Sequence, residues 1–384
     1  MSTPNCQLLS DSTVSLAIYL GIPFCERACS FCHYLPNLSF RHPTVPDSYV
    51  AMLARQAREI FRTHRPRRLA SCYFGGGTPS LLSVSQLRVL FETLDEVTSG
   101  SDEVSMEVHP ATWRDDYLEI GRFNRFSLGV QTFSEAQLQK WGRSTYSFAT
   151  IEGIVAAIRG HSPSATINLD LLFQDAPDLD DLRRAHALSP DSITLYPKTG
   201  PKFPGQIQAI EQGLDRAADV FTGYEPLTDG SFIFLRHRQA LSRYAQLEYE
   251  SAGEIVGLGH NSVSSLGSDA YLSVYDDDGY QFRPKYLGDR YFRALLRGLS
   301  VGVTEKLVRE TDSNILPFLQ LHPWRRALRF LPRDAYHQFY EYLREQHLPQ
   351  YGREFLRTVL HGEDRPELLQ ENSNVSPVHS GGGN

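Results

Sequence analysis

Cysteine is scarce in this sequence, with only five residues in a chain of 384. A scaffold held by disulfide bonds needs many cysteines in a short secreted chain, so the composition argues against that class of protein. Long apolar runs are also missing, since no stretch approaches the roughly eighteen residues that a membrane-spanning helix needs. Residues 1–14 lack the basic and apolar regions of a signal peptide. We therefore expect a cytoplasmic globular protein.

Positive charge is in deficit as well. The formal net charge is -7, so the chain has no general attraction for nucleic acid. The basic stretch Arg62–Arg68 follows a predicted helix and is interpreted as a solvated face. A hydrophobic content of 41% allows one large core or two unequal ones. We expect neither a nucleic acid nor a membrane as a partner.

Three of the five cysteines, Cys25, Cys29 and Cys32, are clustered in one short segment. Thiolates at this spacing can bind three corners of a four-iron four-sulfur cluster and leave the fourth iron without a protein ligand. Zinc is the alternative, although a closed structural zinc site normally has a fourth cysteine or a paired ligand nearby. Cys6 lies in a polar tail, so we expect it to have no role in the site. Cys72 lies in an apolar run, so we expect it to be a small core residue.

Short runs of β-branched or aromatic residues alternate with amphipathic stretches from Ser15 to about Pro197. This alternation is typical of repeated βα units with a parallel sheet. Between the strands lie helical patterns such as Ser83–Val97, which Ser83 can cap. Six units predict an α/β fold, a partial, TIM-like (βα)6 barrel with its active site at the carboxyl ends of the strands. The predicted strands are Ala17–Ile22, Ser71–Phe74, Val104–Val108, Phe126–Val130, Ile167–Phe173 and Ile193–Tyr196.

A boundary between domains is predicted after Pro197, where the segment TGPKFPGQ is rich in proline and glycine. Residues 1–14 are expected to form an N-terminal tail and residues 15–200 the core. Residues 201–364 are expected to form a smaller accessory or substrate domain, mainly helical at its end. Residues 365–384 are polar and glycine-rich, which predicts a disordered tail.

The cysteine motif and several shorter elements together resemble the radical S-adenosylmethionine superfamily. Their order is that of the branch containing oxygen-independent coproporphyrinogen III oxidase, and they span residues 17 to about 196. The elements are Tyr73–Ser80 with its GGGTP run, Glu107–Pro110, Ser127–Phe133, Gly142–Arg143 and Asn168–Asp170.

The resemblance implies two cofactors and a set of residues that hold them. Cys25, Cys29 and Cys32 would be the metal ligands and catalytic residues of a four-iron four-sulfur cluster, at which S-adenosylmethionine is cleaved to a 5′-deoxyadenosyl radical. Glycines allow a close backbone approach to the methionine part, carboxylates accept hydrogen bonds from amino or ribose groups, and arginine can clamp a carboxylate. The implied cofactor-binding residues are Tyr19, Phe31, Gly75, Gly76, Gly77, Thr78, Glu107, Gln131, Arg143 and Asp170.

The chain departs from the branch at several positions near the substrate side. Tyr34 stands where an extra cysteine is usual, Gly21 replaces the histidine of the HIPFC element, and Thr145 replaces the histidine of the GRxH element. The HNxxYW element of haem-chaperone relatives is missing between Tyr244 and Gly257. We therefore expect the chain to cleave S-adenosylmethionine as the branch does, and to act on a substrate other than coproporphyrinogen III.

The leading functional prediction is methyl or methylene transfer to a small molecule in secondary metabolism, giving methylation or cyclopropanation. This reaction would use a second molecule of S-adenosylmethionine. One alternative is oxidative decarboxylation of coproporphyrinogen III, and an alternative of another class is a haem-binding, chaperone-like protein. The expected partners are a small-molecule substrate and an electron donor such as flavodoxin or ferredoxin.

Overall fold

The structure is a computed structural model. It describes residues 15–32, 41–62, 68–98, 100–174, 176–198, 213–228, 232–250, 253–266, 269–276 and 279–284, and short pieces at 303–304, 309, 314, 319–321 and 327–330. Cys6, Tyr34 and both predicted tails lie outside the described residues, as does most of the predicted helical end of the accessory domain. The described pieces of that end at 303–304, 319–321 and 327–330 are strands and not helices. The predicted division into domains therefore stays a prediction.

Six parallel strands form the centre of the sheet and are neighbours in chain order. Each contains one of the six strands predicted from the sequence, so the predicted α/β architecture is confirmed. The strands are β1 Leu16–Ile22, β2 Leu69–Gly76, β3 Ser101–Val108, β4 Arg125–Gln131, β5 Thr166–Phe173 and β6 Ser192–Pro197.

Helices connect consecutive parallel strands, as such crossovers require. The helix predicted after Ser83 begins at Val84, and Ser83 forms a reciprocal capping box with Gln86, so two backbone N–H groups at the helix start are satisfied. The helices are α1 Asp47–Phe61, α2 Val84–Val97, α3 Asp116–Glu119, α4 Glu135–Lys140, α5 Phe148–His161 and α6 Leu179–Ala187.

Later strands extend the same sheet at both edges. On one edge β8 (Phe232–Leu235) pairs with β6 and β7 (Glu225–Thr228) follows it. On the other edge β9 (Glu254–Leu258) lies parallel to β1, followed by β10 (Ser262–Leu266), β11 (Asp269–Asp276) and β12 (Gly279–Pro284). Among the described strands the outermost two, β12 and β7, do not pair with each other, so the sheet is open. A small separate sheet contains β13 (Val303–Thr304), β14 (Leu319–Leu321) and β15 (Ala327–Phe330).

The core lies between the outer face of the sheet and the helices. Ile18, Leu20 and Ile22 of β1 are almost wholly buried, as are Tyr49 and Leu53 of α1. Burial of a large apolar side chain stabilises the folded state by about 1.5–3 kcal/mol. The opposite face of the central strands carries polar and tyrosine side chains and surrounds a cavity. None of the helices in the described residues combines the length and the apolar character that a membrane crossing demands.

Candidate active site

The three cysteines lie in the loop after β1, at the carboxyl end of the strand. The backbone N–H of Gly77, which follows β2, donates a hydrogen bond of 2.8 Å to the carbonyl oxygen of Ile22. A Cβ atom on Gly77 would lie 2.7 Å from the carbonyl oxygen of Phe24 and 2.8 Å from the carbonyl carbon of Pro23. Since real Cβ atoms do not approach so closely, glycine is needed here to seat the start of the cysteine loop.

One pocket of about 50 Å³ is lined by all three cysteines, none of which forms a disulfide bond. The Sγ atom of Cys25 lies 3.1 Å from Oγ1 of Thr78. Burial raises the pKa of the Cys25 thiol to about 11, and the neighbouring thiols Cys32 and Cys29 add to the rise. A buried thiol of this kind becomes a thiolate when a metal centre supplies positive charge.

The donor set fits a cluster better than a single metal ion. Among the described residues, no three histidine, cysteine or acidic side chains converge closely enough to hold one ion. A structural zinc site needs such convergence. In a four-iron four-sulfur cluster each cysteine binds a different iron, so three thiolates spread around one pocket are the suitable arrangement.

Arg143 connects the end of β4 to the cysteine loop. Its Nη2 donates to the carbonyl oxygen of Gly129 at 2.6 Å and its Nε to Oη of Tyr146 at 3.3 Å, while Nη1 lies 3.8 Å from Sγ of Cys29. The guanidinium also lies near the ring of Phe31, at 5.9 Å from its centroid. The positive charge of the Arg143 guanidinium lies beside the thiols, so it offsets the negative charge of the thiolates that a bound metal centre would require.

A second and larger cavity, of about 330 Å³, lies on the inner face of the strands. Tyr19, Glu107 and Asp170 of the predicted cofactor set line it. The wall continues with tyrosines, hydroxyl groups and a few charged side chains, namely Tyr73, Tyr196, Tyr244, Ser127, Ser192, Thr194, Asn168, Arg125 and Glu248.

Glu107 is held by Oη of Tyr73, which donates to its Oε1 at 2.9 Å, and by the N–H of Gly76, which donates to its Oε2 at 3.1 Å. Burial raises the pKa of Glu107 to about 7, and the nearby charge of Asp170 adds to the rise. The two hydrogen bonds lower this pKa but do not offset the effect of burial. The carboxyl group of Glu107 therefore changes its charge near neutral pH.

Asp170 accepts a hydrogen bond of 2.8 Å from each of Ser127 and Asn168. Burial raises the pKa of Asp170 to about 6, although these two bonds favour the charged form. Asn168 itself accepts hydrogen bonds from Ser192 and Thr194, at 2.7 and 3.0 Å. Three neighbouring strands thus fix the orientation of one carboxylate.

The structure divides the predicted cofactor-binding residues between two neighbouring spaces. Phe31, Gly77, Thr78 and Arg143 line the cysteine pocket, whereas Tyr19, Glu107 and Asp170 line the cavity. Gly76, whose N–H binds Glu107, directly precedes Gly77 and so joins the two spaces.

Gly75 and Gln131 are not among the residues that line these two spaces. Gly75 lies against the rings of Tyr19 and Tyr73, where a Cβ atom would come within 2.9 Å of both. Gln131 has a φ of 61° at a register shift between β4 and β5. Such backbone in a non-glycine residue is uncommon and clusters at functional sites. The cofactor roles assigned to these two residues, like those of the other predicted cofactor-binding residues, stay predictions.

Sequence reasoning missed Tyr73, Asn168 and Tyr244 as members of the site. For Asn168 a signal existed, because Asn168 and Asp170 alternate along a strand and must share a face. Tyr73 sits in the same strand as the glycines and could have been found in the same way. Tyr244 carries no local signal, since it comes from a distant segment of the chain.

Comparisons with known proteins identify related sequences and folds. Residues 19–185 match the radical SAM superfamily. The haem chaperone HemW of Buchnera aphidicola subsp. Schizaphis graminum is 28% identical over 312 residues, which cover 72% of this chain and 78% of the relative. The oxygen-independent coproporphyrinogen III oxidase of Synechocystis is 29% identical over 290 residues, 67% of this chain and 61% of the relative. The haem chaperone HemW of Escherichia coli is 29% identical over 273 residues, 64% and 68% of the two chains.

A solved structure has a similar fold along most of the chain. Coproporphyrinogen III oxidase (HemN) from Escherichia coli, described as a radical SAM enzyme, matches with a TM-score of 0.64 and 18% identity. The match covers 92% of this chain and 91% of that chain. At this identity the likeness concerns the fold alone.

Proposed function

The chain belongs to the radical S-adenosylmethionine superfamily, in the branch that resembles coproporphyrinogen III oxidase, and from this premise we propose that it is an enzyme that cleaves S-adenosylmethionine reductively. Cys25, Cys29 and Cys32 would hold a four-iron four-sulfur cluster. The observation that carries the proposal is that these three thiols line one pocket, next to the cavity that contains Glu107 and Asp170.

The residues of the chain supply binding, orientation and exclusion of water. A cluster held by Cys25, Cys29 and Cys32 would supply the electron for reductive cleavage of a carbon–sulfur bond of S-adenosylmethionine. Glu107 and Asp170 have carboxylate oxygens to accept hydrogen bonds from amino or ribose groups. Bound substrate that fills this tyrosine-lined space would displace water from it, so a radical formed there would react with the substrate rather than with solvent.

For the reaction itself we propose that a hydrogen atom passes from a small molecule to the 5′-deoxyadenosyl radical, giving 5′-deoxyadenosine, and that the substrate radical then loses one electron to an external one-electron acceptor of the redox-protein class. The Synechocystis relative is named as an oxygen-independent coproporphyrinogen III oxidase, which supports oxidation. The methyl or methylene transfer expected from the sequence receives no support from the relatives described above, and neither does a second molecule of S-adenosylmethionine. Electron donor and small-molecule substrate remain proposed partners.

A second candidate is haem binding, as the names of the HemW relatives suggest. Their alignments cover 72% and 64% of the chain, which favours this candidate. The missing HNxxYW element speaks against it.

One anaerobic experiment separates these functions. The reconstituted protein is mixed with S-adenosylmethionine, dithionite and coproporphyrinogen III, and the products are identified by mass spectrometry. Formation of 5′-deoxyadenosine supports the radical enzyme, and protoporphyrinogen identifies the oxidase reaction. Release of S-adenosylhomocysteine would instead support the methyl transfer that was expected from the sequence. If no 5′-deoxyadenosine forms and the protein binds haem at micromolar concentration, the proposed enzyme function is wrong and the haem-binding function is favoured.

A further inference from the structure

A segment from outside the matched domain forms part of the inner cavity. The radical SAM match ends at residue 185, yet residues 240–248, here called the inserted segment, reach the inner face of β1 and β2. Their most central side chain is Tyr244. Its ring lies 4.8 Å from that of Tyr73 and 5.6 Å from that of Tyr19, measured between centroids.

The inserted segment is fastened to the sheet by charged side chains. Nη1 of Arg125 donates to the carbonyl oxygen of Ala240 at 2.6 Å. From this segment, Glu103 accepts one hydrogen bond from Oγ of Ser242 at 3.0 Å and one from the backbone N–H of Arg243 at 2.9 Å. Arg125 is 6% exposed, so its bond to a carbonyl is made away from water and strongly restrains the segment. These hydrogen bonds therefore hold the backbone beside Tyr244 in a fixed position.

Tyr244 completes a cluster of three tyrosines, one of which donates a hydrogen bond to a carboxylate. The rings of Tyr19 and Tyr73 are nearly parallel, at 12° and 5.8 Å between centroids. Tyr244 contacts both rings at tilted angles, so each ring touches the other two. Packed against both neighbours, the ring of Tyr73 has little freedom to turn, and its Oη donates to Oε1 of Glu107 at 2.9 Å. Aromatic pairs of this kind contribute about 0.5–1.5 kcal/mol beyond burial.

We propose that Tyr244 is a positioning residue, which acts through Tyr73 to hold the hydrogen bond on Glu107. The inference rests on the proposed function for its role in cofactor binding, whereas the contact itself can be tested on the chain without iron. It gives the region beyond residue 185 a direct influence on the candidate active site. Removal of the Tyr244 ring should free Tyr73 to rotate, and Glu107 should then lose a donor that favours its charged form.

Other charged and titratable groups also act on this carboxylate, and the test has to separate them. Burial and the charge of Asp170 raise the pKa of Glu107, while Tyr73 and the N–H of Gly76 lower it. The groups around these side chains are Tyr19 on β1, Tyr73 on β2, Asp170 on β5, Tyr196 on β6, and Arg125 and Arg143, which act on Asp170.

The experiment is a double-mutant cycle with Tyr244→Leu and Tyr73→Phe. The carboxyl group of Glu107 is titrated by infrared difference spectroscopy on the full chain without iron, using the carbonyl band that Glu107→Gln removes. The titration midpoint should move to higher pH in Tyr244→Leu and in Tyr73→Phe. In the Tyr73→Phe background, Tyr244→Leu should produce no further shift, because its effect passes through the Tyr73 hydroxyl.

Two further variants control for the ring and for general destabilisation. Tyr244→Phe keeps the ring and should retain the midpoint of the unchanged chain. Tyr224→Leu removes a partly buried tyrosine that packs on Phe221 and His186, far along the chain from Glu107, and should lower stability without moving the midpoint.

Three results would overturn the proposal. The first is an unchanged midpoint in Tyr244→Leu, and the second is a shift of equal size in both backgrounds. The third is a shift to lower pH, which would mean that Tyr244 acts by excluding water. Formation of 5′-deoxyadenosine by the unchanged chain is measured in parallel, so failure of the proposed function is recognised separately from failure of this contact.

Discussion

Gly21 of β1 and Ser262 of β10 leave no room for a side chain between them. A Cβ atom on Gly21 would lie 2.2 Å from Oγ of Ser262 and 3.1 Å from the carbonyl oxygen of His260. Ser262 is held in place because its Oγ donates a hydrogen bond of 2.8 Å to the carbonyl oxygen of Leu258. A histidine at this position, as in the HIPFC element that the sequence resembles, would therefore collide with the start of β10.

Reintroduction of that histidine should therefore be harmful. Gly21→His should lower the free energy of unfolding by about 1–3 kcal/mol, the usual cost of overpacking. Ser262→Gly in the same chain should recover part of the loss, since it removes the nearest atom. Urea unfolding of the single and double variants measures both effects. Additive losses in the double variant would contradict the proposed collision.

Gly77→Ala should prevent correct seating of the cysteine loop. The new methyl group would meet backbone atoms of Pro23 and Phe24, which cannot turn away as a flexible side chain can. We expect a loss of most bound iron after anaerobic reconstitution, measured as iron and sulfide per chain.

Gly153→Ala is the matched control for this change. Gly153 lies exposed in α5 with no atom within 4 Å of an added Cβ. This variant should gain up to about 1 kcal/mol of stability from helix propensity and keep its iron. Equal iron content in both variants would refute the role assigned to Gly77.

Glu107→Gln should stabilise the chain without iron at high pH and not at low pH. The folded pKa of about 7 lies above the ordinary value of 4.5, so the folded chain holds this proton more tightly than the unfolded chain. The stability that protonated Glu107 contributes to the folded chain is therefore fully present below about pH 4.5 and is lost as the pH rises to about 7. The variant escapes this loss, and its advantage should be on the order of 2 kcal/mol at pH 8. Urea unfolding at pH 4 and pH 8 measures it, and a difference that is independent of pH would be contrary to the expectation.

Cys25→Ser, Cys29→Ser and Cys32→Ser should each abolish the cluster and the formation of 5′-deoxyadenosine. About four irons per unchanged chain are expected, as for a four-iron four-sulfur cluster. Cys72→Ala is the control, because Cys72 is 2% exposed in the core, apart from the cysteine loop. It should cost some stability through lost packing and leave iron content and 5′-deoxyadenosine unchanged. Equal losses in all four variants would show that the ligand set is wrong.

The sequence by itself determined the elements of the fold and the class of chemistry. The six central strands and the cap at Ser83 follow from local periodicity and short-range hydrogen bonds, which do not depend on the rest of the chain. The spacing of Cys25, Cys29 and Cys32 is likewise local, so three thiols in one loop could be expected before any fold was known.

Only the tertiary structure decided which distant side chains meet. The contact of Tyr244 with Tyr73 joins residues 171 positions apart, by their numbers in the sequence. It depends on strand order and on how the inserted segment is fastened, which no local pattern encodes. The same is true of Gly21 and Ser262, because β9 and β10 come late in the chain and yet lie on the β1 side of the sheet. Periodicity fixes the face on which a side chain lies, whereas its partner is fixed by strand register and close packing across the sheet.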